Sequence, residues 1–107
     1  AVVHKASAGA TAYMKIVQVS NLSYAINELK ELGFWVVGAS EKADRKYFEI
    51  DFTQSVAIVL GSEGAGLSRL VMEECDYLAA IPMKGQVPSL NVSVAGALMM
   101  YEALRQR

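Results

Sequence analysis

Two short stretches of this chain carry residue types that could do chemistry. Val56 to Leu70 reads VAIVLGSEGAGLSRL, an apolar run that opens into Gly61, Glu63, Gly64 and Gly66 before a helix-compatible segment. Ile81 to Leu104 reads IPMKGQVPSLNVSVAGALMMYEAL, in which Gly85, Pro88, Ser89 and Asn91 stand between a strand end and an apolar helix. Glycines in such turns let backbone amides approach a ligand where a Cβ would obstruct, and the following helix offers free N–H groups. The polar side chains at hand are Glu63, Ser89 and Asn91. Two glycine-bearing strand-to-helix turns predict loops that converge on one ligand at the carboxyl ends of parallel strands.

Each feature has a plainer reading. A single glycine-rich turn serves a tight bend as readily as a ligand, and neither GxGxxG nor a Lys-bearing phosphate loop occurs here. Ser89 and Asn91 precede a helix, where both residue types are favoured caps. An isolated Glu63 would ordinarily be solvated. It is the pairing of the two turns that favours ligand binding.

The elements that must position these turns alternate between strand and helix. Ala1 to Ala12 is small and helix-compatible, and Lys15 to Val19 alternates as a short strand. Asn21 can cap a helix over Leu22 to Leu32 with the apolar stripe Leu22, Ala25, Ile26, Leu29 and Leu32, and Gly33 stops it. Phe34 to Ala39 is an apolar strand-type run, Ser40 to Lys46 reads as a surface loop, and Tyr47 to Phe52 approaches the next strand. Val56 to Leu60, apolar throughout, suits a central parallel strand. A helix from about Leu67 to Glu74 and a strand from Tyr77 to Ile81 complete a further βαβ step, so the prediction is a doubly wound α/β parallel sheet. Helix Val92 to Arg105 is apolar or small almost all round through Tyr101, which predicts burial on more than one side, in part by another chain.

Length and composition set bounds. At 107 residues the chain is one domain at most and can bury about 60% of its extended surface. Hydrophobic residues make up 53% and charged residues 20%, against about 45–50% and a quarter in ordinary domains. A partner or further chain should therefore cover some of the surface. The net charge of −1 gives no summed positive field for strong nonspecific nucleic-acid binding by these residues alone. The single Cys75 and the absence of any Cys/His cluster with ligand spacing predict no disulfide, no metal and a reducing, cytoplasmic compartment. No apolar run reaches the about 18 residues of a membrane span.

The two turns resemble motifs 2 and 3 of the SpoU family, the knotted ribose 2′-O-methyltransferases that use S-adenosylmethionine. The resemblance rests on IVLGSEGAGLS at Ile58 to Ser68 and IPMKGQVPSLNVSVA at Ile81 to Ala95, with KASAGATAYMKIVQVSNL from Lys5 to Leu22 as a weaker match. The ending through Tyr101, Glu102 and Arg105 looks most like the bacterial branch that methylates a guanosine ribose in large-subunit ribosomal RNA. The family's first motif, an Asn-containing stretch ending in an Arg credited with activating the hydroxyl, has no counterpart here, since Asn21 and Arg45 sit in other contexts. The resemblance thus implies that residues 1–107 form the C-terminal part of a SpoU-type catalytic domain.

The resemblance also implies a C-terminal trefoil knot, which patterning cannot show. It implies that main-chain groups at Leu60, Gly61, Ile81, Met83 and Leu90 hold the adenosine of S-adenosylmethionine, with Ile81 and Leu90 as apolar walls. RNA is the implied partner, with ribosomal RNA the closest case, and a homodimer through helix 92–105. Methyl transfer to a ribose hydroxyl needs an in-line methyl, a route for the proton and donors that fix the ribose. Asn91, Ser89 and Glu63 are the implied catalytic residues: Asn91 to bond the hydroxyl or the arginine, Ser89 to orient the ribose or line the cofactor pocket, and Glu63 to accept from an arginine or stabilise its loop.

Other chemistry-bearing residues read as structural. His4 has no acidic or nucleophilic partner at a readable spacing, and Cys75 reads as a small buried hydrophobe near a helix end. Met83, Met99 and Met100 read as packing and interface residues, and Lys84 and Arg69 as candidate phosphate contacts. The competing functions are a noncatalytic α/β interaction module and, more remotely, a flavodoxin-type nucleotide-binding enzyme.

Overall fold

A four-stranded sheet, every strand pair parallel, organises the chain. The computed structural model describes residues 21–61, 66–82 and 92–107. In chain order these form α1 (Leu22–Glu31), β1 (Trp35–Ala39), β2 (Arg45–Lys46), a 3₁₀ turn (Tyr47–Glu49), β3 (Val56–Val59), α2 (Arg69–Glu74), β4 (Tyr77–Ala80) and α3 (Val92–Gln106). The strand order is β2-β4-β1-β3.

Capping chemistry fixes the helix ends. The Asn21 side chain accepts from Tyr24 N at 3.1 Å. At the other end Gly33 N donates to Lys30 O and Phe34 N to Leu29 O, both at 3.0 Å, a Schellman closure that needs the positive φ of +93° at Gly33. Leu32, expected on the helix stripe, lies past the last turn and is 74% exposed. Ser68 caps α2 by accepting from Val71 N at 3.2 Å.

Two apolar layers cover the sheet. Ile26 of α1 and Val71 of α2 pack with Leu67, Val36 and Val59 on one face. Met99 and Ala103 of α3, with Ile50 and Phe52, pack on Val37 and Ala79 on the other. Successive residues of β1, Val36 and Val37, serve opposite layers, so the strand must be apolar at both. This is the predicted doubly wound α/β arrangement. The knot and the strand expected at Lys15 to Val19 lie outside the described residues.

One expectation is corrected. Arg45 and Lys46, read as loop, pair through their backbones with Ala79 and Ala80. Ladder bonds need no apolar side chain, and charged residues suit a sheet edge. Tyr47 to Phe52 begins as a 3₁₀ turn, held where Lys46 N donates to Glu49 Oε1 at 2.7 Å. Among the described strands β1 and β4 each pair on both sides, and β3 pairs with β1.

Candidate functional site

Parallel pairing sends the chain out of the sheet at one edge. The register sets Val59 beside Gly38 and Ala79 beside Ala39. Leu60 and Gly61 therefore leave β3, and Ile81 leaves β4, at the same carboxyl edge with β1 between them, about 10 Å apart across two strand spacings. All three are half-buried. Leu60 and Ile81 have apolar side chains and Gly61 none, so at these three positions the polar groups are those of the main chain. Of the predicted site residues, Glu63, Met83, Ser89, Leu90 and Asn91 lie outside the described residues. So do His4 and Lys84.

Gly61 has a structural reason to be glycine. A Cβ there would overlap the Gly66 carbonyl group and lie 2.5 Å from Leu67 N. The chain leaving β3 is crossed by its own return into α2, at a distance no other residue permits. Gly66 has open space around it but a φ of +68°, so its demand is conformational. The turn is thus tight for its own folding, whatever else it serves.

Gly38 was not singled out in the sequence. A Cβ at this position of β1 would meet Cys75 Sγ at 2.8 Å and Leu67 Cδ1 at 2.9 Å. The missing side chain lets α2 and the segment before it settle on the sheet directly behind the Gly61 turn. A glycine inside an otherwise apolar strand run was the available signal. Cys75 fills the space as a packing residue, and burial pushes its thiol up to about 11, out of the nucleophile range.

At the opposite edge Asp76 closes the sheet. Its Oδ2 accepts from Val36 N and its own N–H donates to Val36 O, both at 2.8 Å. Arg69, at the start of α2, pairs with Glu73 at 3.2 Å in the solvent. A separate open groove of about 490 Å3, lined by Lys42, Asp44, Arg45, Met72, Cys75 and Tyr77 among others, contains none of the predicted site residues. Among the described residues no group of three or more His, Cys, Asp or Glu could hold a metal, and no helix is long and apolar enough to cross a membrane.

Residues 1–101 match the model of the SpoU rRNA Methylase family. The chain belongs to that family. SpoU relatives agree over nearly the whole of it: it is 51% identical over 106 residues to a 23S rRNA (guanosine-2'-O-)-methyltransferase of Coxiella burnetii, covering 99% of this chain and 42% of that one. A solved SpoU methyltransferase from Streptomyces viridochromogenes, AviRb in complex with the cofactor AdoMet, is 38% identical with a TM-score of 0.69 over 78% of this chain and 34% of that one. The TrmH/SpoU tRNA modifying enzyme of A. aeolicus is also 38% identical, with a TM-score of 0.75 over 83% of this chain and 46% of that one. The chain thus spans 42% of the length of the curated relatives.

Proposed function

We propose that this chain is the cofactor-binding part of an S-adenosylmethionine-dependent enzyme that methylates a ribose 2′-hydroxyl in RNA, a guanosine of large-subunit ribosomal RNA. The observation that carries the reading is the common carboxyl edge at which Leu60, Gly61 and Ile81 leave the sheet, in a chain of the SpoU family. The named activity of the Coxiella burnetii relative and the AdoMet complex of AviRb support it.

When bound, the cofactor supplies an electrophilic methyl group. The chain's task is to orient it and to handle the hydroxyl proton. In this reading main-chain groups at Leu60, Gly61, Ile81, Met83 and Leu90 fix the adenosine. Asn91 and Ser89 orient the ribose hydroxyl, and Glu63 holds an arginine or its own loop. The trefoil passage of the motif 3 segment and a cytoplasmic location belong to the same proposal.

The second copy would dock on α3. Met99 and Met100, expected to serve packing and interface together, are 0% and 6% exposed and belong to the chain's own core. The outward stripe is instead Val94 and Tyr101, 44% and 45% exposed, with the half-buried Leu98 between them. Its spacing is that of one helix face.

Calorimetric titration tests the function. S-adenosylmethionine and S-adenosylhomocysteine should bind, and flavin mononucleotide and ATP should not. Failure of both sulfur ligands, or preferential binding of flavin, would favour the interaction module or the flavodoxin-type reading.

A further inference from the structure

The last two residues tie together the far ends of the two elements that lead to the candidate site. The Gln106 carboxamide accepts from Phe52 N at 2.7 Å and donates to Ile50 O at 2.8 Å, as a neighbouring strand would. Arg107 extends the contact, with Nε donating to Phe52 O at 2.8 Å and an Nη to Gln54 O at 2.6 Å. Glu102, buried on α3, accepts from Gln106 Nε2 at 2.7 Å and from Arg105 at 2.8 and 2.7 Å, so the amide is aimed before it meets the loop. Phe52 is wholly buried beneath α3.

What this brace joins gives it meaning. Segment Ile50–Gln54 runs through Ser55, whose carbonyl accepts from Trp35 N at 2.9 Å, directly into β3. The other end of β3 delivers Leu60 and Gly61. At its other end α3 begins at Val92, immediately after Asn91. The C-terminal end of α3 and the segment that enters β3 therefore meet in this hydrogen-bonded clamp, and the other end of β3 lies at the carboxyl edge of the sheet. A helix and a strand packed by apolar contact alone can slide, because such contacts are non-directional. Directional bonds to backbone at Ile50, Phe52 and Gln54 fix the axial position.

We infer that Gln106, supported by Glu102 and Arg107, is a positioning residue that sets α3 against the segment entering β3 and thereby the place at which Leu60 and Gly61 leave the sheet. The inference rests on the cofactor reading above. It is tested by S-adenosylhomocysteine affinity in the full chain, measured well below each variant's melting temperature. Gln106→Ala should stay folded and lose about 3- to 30-fold in affinity, the span of couplings carried through packed elements. Arg107→Ala, which leaves the Gln106 bonds intact, should lose less and guards against a Gln106→Ala chain that does not fold.

Gln106→Glu provides a readout that general destabilisation would not move. It keeps an acceptor for Phe52 N but sets a second carboxylate beside Glu102, so its affinity relative to wild type should fall at pH 8 and recover as the pH is lowered and the added carboxyl gains a proton. Folded Gln106 variants that bind like wild type, or a Gln106→Glu deficit independent of pH, would overturn the inference. An absence of binding by wild type itself would overturn the cofactor reading and this inference with it.

Discussion

Gly61→Ala separates the two reasons a glycine can stand at the end of β3. The added Cβ would fall on the Gly66 carbonyl and lie 2.5 Å from Leu67 N, and ordinary contact needs about 3.5–4 Å. The return strand of the turn must then retreat by about 1 Å. Overpacking of this kind costs about 1–3 kcal/mol. The upper end applies because the obstacles are backbone atoms in one tight turn, whereas a flexible side-chain tip could swing away. In a domain of about 100 residues, about 3 kcal/mol lowers the melting temperature by about 12–24 °C. Gly66→Ala is the control: its Cβ meets nothing within 4 Å but is forced to φ +68°, at a cost of about 1–2 kcal/mol. Thermal and denaturant unfolding of wild type and both variants, with S-adenosylhomocysteine affinity in parallel, is the assay. If Gly61→Ala melts no lower than Gly66→Ala, the crossing of Gly61 by Gly66 and Leu67 is wrong. If it keeps its stability and loses only the ligand, glycine is there for the cofactor alone.

Three other outcomes are expected. Hydrogen bonds from Arg105 and Gln106 hold the Glu102 carboxyl down to about 2; the unfolded chain binds that proton more readily. Glu102 therefore stabilises fully above the ordinary carboxylate range and its contribution is lost as pH falls toward 2. Denaturant midpoints between pH 6 and pH 2.5 should show a steeper loss in wild type than in Glu102→Gln, and parallel curves would refute the assignment. The Cys75 thiol, near 11, leaves about one thiolate in a thousand at pH 8, so a disulfide reagent should label it at least about 100-fold faster in denaturant than in the native state, and equal rates would contradict its burial. Val94→Glu, on the outward face of α3, should weaken self-association in sedimentation at matched concentrations without lowering the melting temperature, whereas Met99→Glu, at a wholly buried position, should unfold the chain; a dimer indifferent to Val94→Glu would remove α3 as the interface.

The alternation of apolar runs with helical stripes sufficed for the α/β class, because period and length are local properties that a parallel sheet covered on both faces imposes on its own sequence. Asn21 and Gly33 mark helix ends through hydrogen bonds spanning a few residues, so they too were legible, whereas the cap at Ser68 fell inside a helix expected from Leu67. The glycines after β3 marked a tight return for the same reason, since Gly61 and Gly66 meet within a few residues of each other. What sequence could not supply was distance between residues far apart in the chain. Strand order depends on which backbones meet, and the Arg45–Lys46 ladder uses no side-chain signal at all. That Gly38 makes room for Cys75 and Leu67, that Gly61 is crossed by Gly66, and that Met99 turns inward while Val94 turns out are decided by packing among elements. The Gln106 bonds to Ile50 and Phe52 join residues more than fifty positions apart, and a single glutamine in the last turn of a helix carries no local pattern that distinguishes such a clamp from a solvated side chain.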